Sequence, residues 1–289
     1  MLSGCHLMPQ AVPPAGMLHV PRPQNCRIAW LDSYILSYFA PKNVVNLIID
    51  IGNTAAKLAI FDAGQLVEVV HTDNLTLAGL APLVGRYGNA IVRAVVSTVI
   101  DLSSEASARL SCLPFACLHI DSSTALPVTN LYETPATLGN DRIAAVVGAN
   151  AQAPGRDILV IDSGTCITYD FVDAGGHFVG GNISPGIAMR FRALNTFTSR
   201  LPLVEARGRM PDTGKDTDTA IRLGVMRGVE YEVNGYVSAY AAKYPGLLVF
   251  LTGGDAFSFE VQSKSEIFAD KFLVLKGLNR ILEYNAPHI

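Results

Sequence analysis

Two stretches of the chain, about one domain apart, have parallel sequences. LIIDIGNTAAKLAIFDAG begins at Leu47, and LVIDSGTCITYDFVDAG begins at Leu159. Each is an apolar run that ends in Asp-x-Gly, passes through small polar residues, resumes as a strand-like segment and closes on Asp-Ala-Gly. Asp50 and Asp162 lie 112 positions apart, far beyond the roughly 20–50 residue period of a solenoid. The pattern therefore predicts a duplicated domain.

Each copy has the composition of a β-hairpin whose turn can face an anion. The β-branched apolar run predicts a strand that is buried on both faces. Gly52 and Gly164 follow this strand, and a residue without Cβ lets backbone amides approach a phosphate closely. Asp50 and Asp162 only accept hydrogen bonds when ionised, and their oxygens suit a hard cation such as Mg²⁺. Two such hairpins that face each other would hold a nucleoside triphosphate from both sides.

The composition describes two compact folded domains. The 289 residues are 49% hydrophobic and 16% charged, which allows two domains of about 120 residues with separate cores. We expect an α/β fold with a first domain over residues 45–155 and a second over residues 156–289. The net charge is −3 and no Lys/Arg cluster is present, so the electrostatic signature of a nucleic-acid partner is missing.

Residues 1–44 have a different character from the two domains. They hold six of the 16 prolines and lack the basic start and cleavage pattern of a secretory signal. We predict a non-catalytic, poorly ordered N-terminal extension. No apolar run reaches the roughly 18 residues of a membrane span, and the five cysteines have no CxxC spacing. We therefore expect a cytoplasmic protein with no membrane partner.

Hydrophobic periodicity and turn residues predict the elements between the motifs. In the first half we expect helices over Leu75–Tyr87 and Asp101–Leu110, a buried strand from Ile91, a strand over Leu118–Asp121 and a helix after Gly139. In the second half we expect a third strand near His177–Val179, a glycine-rich turn, helices, and a strand over Leu247–Leu251 that ends in Gly253-Gly254. A strand that ends in Gly-Gly is a place where backbone can lie against a nucleotide.

The strongest catalytic candidate outside the hairpins is the segment Gly139-Asn140-Asp141-Arg142. Phosphoryl transfer needs positioning, charge neutralisation and one carboxylate near the acceptor hydroxyl. Asp141 at a helix start fits that role, and Arg142 offers a rigid fork for a carboxylate or phosphate. An N-cap aspartate beside a solvated arginine explains the same residues equally well. P-loop, Rossmann and protein-kinase signatures are absent from the sequence.

The motifs, taken in order, resemble those of the type III pantothenate kinases, small members of the acetate and sugar kinase, heat-shock chaperone and actin superfamily. The resemblance runs from Asn46 to the last helix. The family motif D-x-G-N-T-x-x-K is present as Asp50–Lys57, G-x-D-R as Gly139–Arg142, and G-G-x-I-x-P-G as Gly180–Gly186. The resemblance implies two duplicated ribonuclease H-like (actin-like ATPase) domains with a nucleotide cleft between them.

The resemblance also implies a role for each matching residue. ATP would be bound by Thr165 and by the first hairpin, at Asp50, Ile51, Gly52, Asn53, Thr54, Ala55, Ala56 and Lys57. Asp50 would hold the Mg²⁺ that accompanies ATP, and Asp162 would hold a monovalent cation, K⁺ or NH₄⁺. Asp141 would be the general base. Pantothenate would be held by Tyr132, Gly139, Asn140, Asp141, Arg142 and Thr217.

The implied reaction is transfer of the ATP γ-phosphoryl group to pantothenate, the first step of coenzyme A biosynthesis, by a homodimer. One departure concerns Gly214-Lys215-Asp216-Thr217, where the family usually has G-x-N-T. Asp216 brings a negative charge toward an acidic substrate, which bears on affinity more than on reaction type. Two alternatives stay open: a non-catalytic ATP-binding regulator of the same fold, and a kinase for another small polyol or sugar.

Overall fold

The computed structural model describes residues 44–255, 261 and 265–286. Apart from Val44, the predicted N-terminal extension lies outside the described residues. The described chain forms a five-stranded and a six-stranded sheet together with six α-helices.

The first sheet has the strand order β3-β2-β1-β4-β5. Its strands are β1 (Val45–Ile51), β2 (Ala56–Asp62), β3 (Gln65–Thr72), β4 (Ile91–Thr98) and β5 (Ala116–His119). The first three strands are antiparallel neighbours, whereas β4 and β5 run parallel to β1. The helices of this half are α1 (Leu80–Tyr87) and α2 (Ser104–Ser111), followed by α3 (Asn140–Gln152).

The second sheet repeats this arrangement with the order β11-β10-β7-β8-β9-β6. Its strands are β6 (Thr129–Asn130), β7 (Ile158–Ser163), β8 (Cys166–Val172), β9 (His177–Pro185), β10 (Leu248–Thr252) and β11 (Glu266–Ala269). Here β7, β8 and β9 form the antiparallel meander, and β10 and β11 run parallel to β7. The helices are α4 (Ile187–Thr196), α5 (Thr217–Lys243) and α6 (Leu273–Asn285). The equal connectivity confirms the duplication predicted from the sequence.

Both sheets are covered by helices on both faces. Helices α1 and α2 pack on the outer face of the first sheet, and α4 and α5 pack on the outer face of the second. Helices α3 and α6 lie between the sheets and share one core with an inner face of each. A buried hydrogen bond of 2.8 Å from Asn46 Nδ2 to Asn279 Oδ1 joins β1 to α6. Such double coverage explains why the central strands are apolar throughout.

Strand alternation decides which way Asp50 and Asp162 of the two hairpins point. In β1, Leu47 and Ile49 pack in the outer core, whereas Ile48 packs against the α3/α6 layer. Because side chains alternate with a period of two, Asp50 faces the same side as Ile48. In β7, Val160 faces the α3/α6 layer, and Asp162 follows it by two residues. Both carboxylates therefore point into the space between the sheets.

Several predicted element boundaries are wrong, and local hydrogen bonds explain two of them. Helix α1 begins at Leu80 instead of Leu75 because the Asp73 carboxylate accepts from the N–H and hydroxyl of Thr76 and closes a turn first. Helix α2 begins after Ser103, whose hydroxyl caps the helix by accepting from Ala106 N. Strand β5 likewise begins two residues before the predicted start.

The glycine-rich turn predicted after the third strand of the second half is also wrong. Gly180 and Gly181 lie inside β9, which continues to Pro185. Gly180 has φ +137° beside the irregularity where β9 pairs with β8. A Cβ at Gly181 would overlap the Tyr169 carbonyl and the Asp170 carboxylate. Gly181 therefore serves close packing within the sheet, and Gly180 provides the positive φ.

The predicted boundary at residue 155 falls between α3 and β7. The short strand β6 lies before that boundary, yet it pairs with β9 of the second sheet. The exact domain limits stay a prediction.

Candidate active site

The turns of the two hairpins meet across the space between the sheets. Thr54 Oγ1 and Thr165 Oγ1 are 3.3 Å apart, although they are 111 positions apart in the chain. Within the first turn, Gly52 N donates to Ala55 O at 3.0 Å. In the second, Gly186 N donates to Thr165 O at 3.1 Å, so the start of α4 packs against this turn. The predicted convergence of the hairpins is confirmed.

Three carboxylates and one ammonium group influence each other at this point. Burial raises the pKa of Asp50 from 3.8 to about 6, with Lys57 lowering it and Asp141 raising it further. Burial also raises the pKa of Asp162 from 3.8 to about 7, and the charges of Asp141 and Asp50 act in the same direction. Both side chains still expose part of their surface. A concentration of negative charge beside one lysine favours the binding of cations.

The remaining residues of the first motif differ in whether their side chains or only their backbone could contact a ligand. Lys57 is the cross-strand neighbour of Asp50 in the β1–β2 pair. Ile51 and Ala56 are fully buried in the outer core, so only their backbone could face a ligand. Asn53, Thr54 and Ala55 form the exposed part of the turn. Their predicted contacts with ATP stay predictions.

Helix α3 directs its N-terminus at the carboxylates. Gly139 is the N-cap, and Asp141 is the second residue of the helix. The interpretation of Asp141 as an N-cap is therefore wrong. Asp141 Oδ1 accepts from the backbone N of Arg142 at 2.8 Å, and a carboxylate in the first turn is stabilised by the helix dipole. A Cβ at Gly139 would lie against Asp141 Oδ1, which explains the glycine before it.

Arg142 is buried and paired, so the solvated-arginine alternative is wrong as well. Its side chain is 5% exposed, and that of Asp170 is fully buried. Arg142 Nε and Nη2 donate to Asp170 Oδ1 at 2.9 and 2.5 Å. Nη1 lies 3.5 Å from the Tyr132 hydroxyl, and the guanidinium carbon is 5.3 Å from the centre of the Tyr132 ring. Tyr132 and Arg142, both predicted to hold substrate, thus lie together.

Asp170 was not among the residues predicted for the site. The signal was available, because β8 reads Cys-Ile-Thr-Tyr-Asp-Phe-Val and an aspartate in a strand buried on both faces needs a partner. The identity of that partner was not readable, since Arg142 lies 28 positions away.

Asn140 links the start of α3 to the first sheet. Its Nδ2 donates to the carbonyls of Thr98 and Ile120 at 3.3 and 3.2 Å. Next to it is a cavity of about 740 Å³, whose lining includes Gly139, Asn140 and Ile143 of the α3 region together with Asp101 and Asp121. This cavity adjoins the helix turn that carries Asp141. The predicted contact of Asn140 with substrate stays a prediction.

Thr217 is the remaining residue predicted to hold substrate. It is the exposed first residue of α5. No hydrogen bond or ion pair among the described residues joins it to the hairpins or to α3. Asp216 is the N-cap of α5, accepts from Thr219 N at 2.8 Å and lies 4.0 Å from Arg209. The departure from the family asparagine therefore keeps a capping function, since Asn and Asp cap helices about equally well.

The strand that ends in Gly-Gly also reaches the site. Gly253 follows β10 with φ +94°, and a Cβ there would overlap the Ser163 carbonyl and Asp162 Oδ1. Asp255 N donates to Ser163 O at 2.9 Å. The glycine thus lies against the carboxylate of Asp162, and its predicted contact with a nucleotide stays a prediction.

The carboxylates of Asp50 and Asp162 fit a cation that would also be coordinated by a bound phosphate. Among residues 44–255, 261 and 265–286, no group of three or more His, Cys, Asp or Glu side chains is placed to hold a metal ion. Mg²⁺ in phosphate sites usually binds one or two carboxylates and takes its other oxygens from phosphate and water. Asp50 and Asp162 meet that requirement.

In the part of the chain that the structure describes, no helix has the length and apolar character to cross a membrane.

Comparison with known proteins assigns the family. A family model described as Type III pantothenate kinase matches residues 46–239. The chain belongs to the type III pantothenate kinase family. It is 62% identical to the type III pantothenate kinase of Bacteroides fragilis (strain YCH46) over 245 residues, which cover 85% of this chain and 100% of that protein. It is 58% identical to that of Phocaeicola vulgatus over 241 residues, covering 83% and 99%.

A solved structure supports the fold. The crystal structure described as a conserved Baf family transcriptional activator from Campylobacter jejuni matches with a TM-score of 0.52 and 22% identity, covering 83% of this chain and 99% of that one. At this identity only the fold carries over. The predicted family, the α/β fold with two ribonuclease H-like domains, and the prediction of a pantothenate kinase enzyme in coenzyme A biosynthesis are confirmed.

Proposed function

We propose that this type III pantothenate kinase transfers the γ-phosphoryl group of ATP to the primary hydroxyl of pantothenate with Asp141 as the general base. The observation that carries the proposal is the meeting of the two hairpin turns, with Thr54 Oγ1 3.3 Å from Thr165 Oγ1. Asp50 and Asp162 belong to these hairpins, and the charges of Asp141 and Lys57 shift the pKa of both. The product is 4'-phosphopantothenate.

The hairpin turns would bind the triphosphate from both sides. Thr54 and Thr165 offer hydroxyls to it from the two domains, and Lys57 supplies a positive charge. Asp50 would hold Mg²⁺, and Asp162 would hold a monovalent cation, K⁺ or NH₄⁺. Bound there, these ions would neutralise the charge of the phosphates during transfer. Burial raises the pKa of both carboxylates in the ligand-free protein, and a bound cation would lower these pKa values by favouring the ionised form.

The acceptor would lie at the N-terminus of α3. Asp141 would accept the proton of the pantothenate hydroxyl, and Arg142 and Tyr132 would orient the substrate through Nη1 and the phenol ring. Asp170 already occupies Nε and Nη2 of Arg142, so the guanidinium would act as a fixed group. Because phosphoryl transfer depends mainly on alignment and electrostatics, a fixed arginine contributes without reorganising.

A homodimer that forms through the second domain is part of this proposal. Ile183 of β9, Phe197 after α4 and Tyr231 of α5 are 62%, 86% and 69% exposed. Large exposed apolar side chains on neighbouring elements are typical of an interface. Such an interface could bring Thr217 of one protomer to the site of the other. Light scattering after gel filtration would measure the mass of the species in solution. The cytoplasm is the proposed location.

The catalytic test uses Asp141→Asn and Asp141→Ala. We expect kcat to fall by about 10²–10⁴ fold, the usual contribution of general base catalysis, while ATP still binds. Glu105→Gln is the matched control, because Glu105 is also an acidic residue in the first turn of a helix, and its kcat should stay unchanged. ADP release should require pantothenate when a panel of sugars and polyols is tested, and should depend on K⁺ or NH₄⁺. Unchanged turnover in Asp141→Asn would remove Asp141 from the mechanism.

A further inference from the structure

The turn of the first hairpin is held from behind by a side chain that lies outside every motif discussed above. Asn74 follows β3, and its Nδ2 donates to the carbonyl oxygens of Gly52 and Asn53 at 2.9 and 3.0 Å. One primary amide carries two N–H groups, so both of its donors are used on consecutive peptide units of this turn.

These two hydrogen bonds also orient two N–H groups. In a trans peptide the C=O of one residue and the N–H of the next lie in one plane and point in opposite directions, and no cis peptide is present among the described residues. Fixing the carbonyls of Gly52 and Asn53 toward Asn74 therefore directs the N–H groups of Asn53 and Thr54 away from it. Within residues 44–255, neither of these N–H groups has a hydrogen-bond partner.

The turn that carries these N–H groups meets the turn of the second hairpin. The Thr54 hydroxyl lies 3.3 Å from that of Thr165, so the turn faces the second domain. Two successive free N–H groups that point the same way form an anion-binding concavity. Its position beside Lys57 and between the twin turns matches the location proposed for the ATP phosphates.

Asn74 lies in a turn whose neighbouring residues are fixed by hydrogen bonds and burial. The Asp73 carboxylate accepts from Thr76 N and Thr76 Oγ1 at 2.6 and 2.7 Å. Leu77 is fully buried with φ +52°, and Gly79 N donates to Thr72 Oγ1 at 3.0 Å. A side chain that starts from such an ordered turn can fix the geometry of its partners, because little conformational entropy remains to be lost when a ligand binds.

We propose that Asn74 is a positioning residue for the nucleotide, which holds the Asn53 and Thr54 N–H groups toward the ATP phosphates. The inference rests on the proposed ATP site and extends it to a residue that does not itself contact ATP. It predicts a specific effect on nucleotide affinity and none on the acceptor.

The test compares Asn74→Asp, Asn74→Ala and the control Asn285→Asp in the full-length protein. Asn74→Asp keeps the shape but replaces the donor with an oxygen that repels both carbonyls, so we expect its KM for ATP and its Kd for the Mg²⁺ complex of AMPPNP to rise about tenfold or more. Asn74→Ala should show a smaller rise in the same direction. Asn285→Asp makes the same replacement in an amide that also donates to two backbone carbonyls, those of Ala125 and Ile281, and its nucleotide affinity should match the wild type.

The KM values separate positioning from a general structural role. We expect the KM for pantothenate to stay within about twofold of the wild type, since no acceptor contact is changed. If Asn74→Asp binds AMPPNP as tightly as wild type, or if both KM values rise together with a lower melting temperature, the inference is refuted. If Asn74→Asp does not fold, the same AMPPNP affinity and KM values are measured for Asn74→Ala and judged in the same way. If the wild type binds AMPPNP but does not turn over pantothenate, the proposed function is refuted. The AMPPNP affinities of the Asn74 variants would still test the inference about Asn74.

Discussion

The buried carboxylate of Asp162 should make the ligand-free protein less stable as the pH rises. We consider the variant Asp162→Asn, which keeps the side-chain shape and removes the charge. The pKa of Asp162 is raised by burial from 3.8 to about 7 in the folded protein. Between these values the folded state binds the proton more tightly than the unfolded state does, so unfolding becomes easier as the pH increases.

The size of the effect follows from the two pKa values. With 3.8 in the unfolded chain and about 7 in the folded one, ionisation of Asp162 lowers the free energy of unfolding by about 4 kcal/mol at pH 8 and by about 2 kcal/mol at pH 5. The asparagine variant does not ionise and avoids this cost. Its stability relative to wild type should therefore increase by about 2–3 kcal/mol between pH 5 and pH 8.

The measurement is urea unfolding at pH 5, 6, 7 and 8, with EDTA and tetramethylammonium chloride and without nucleotide, so that no metal or small cation occupies the site. Asp121→Asn is a control of opposite sign, because hydrogen bonds from Ser123 lower the pKa of the exposed Asp121 carboxyl. That variant should be less stable than wild type by an amount that stays constant from pH 5 to pH 8, because the difference develops between the lowered folded pKa and the unfolded pKa, below this range. If the advantage of Asp162→Asn fails to grow from pH 5 to pH 8, burial does not control this carboxylate.

Two further predictions concern packing, and both are measured by urea unfolding. Asp170→Asn leaves a buried guanidinium without its counter-ion, and its free energy of unfolding should fall by about 3 kcal/mol or more. Glu105→Gln breaks an exposed i,i+4 pair and should lower the free energy of unfolding by less than about 1 kcal/mol. Equal losses would contradict the buried ion pair. Gly277→Ala would force a methyl group into the backbone of α3, and its free energy of unfolding should fall by about 2 kcal/mol or more. Gly235 has open space around it on α5, so Gly235→Ala should raise the free energy of unfolding by about 0.5–1 kcal/mol. A neutral Gly277→Ala would show that α3 and α6 can move apart.

Much of the site was readable because its parts are local motifs. The two apolar runs that end in Asp-x-Gly predict strands whose terminal carboxylates and glycines share one geometry, and the structure places them face to face. The segment Gly139–Arg142 predicted a helix start, and α3 begins at Asn140. Errors arose where a side chain competes with the backbone. The Asp73 turn delays α1 to Leu80, which hydrophobic periodicity cannot register.

By itself, the sequence determined the duplicated strands, the carboxylates at their ends and the helix that carries Asp141, since each depends on residues that are close in the chain. Tertiary structure alone decided that Arg142 pairs with Asp170, that Asn74 holds the turn of Gly52, and that α3 and α6 lie between the sheets. Those pairs are 28 and 22 positions apart, and a periodic pattern specifies only that a polar group is buried. Which partner satisfies it depends on how the two sheets and the helices between them pack.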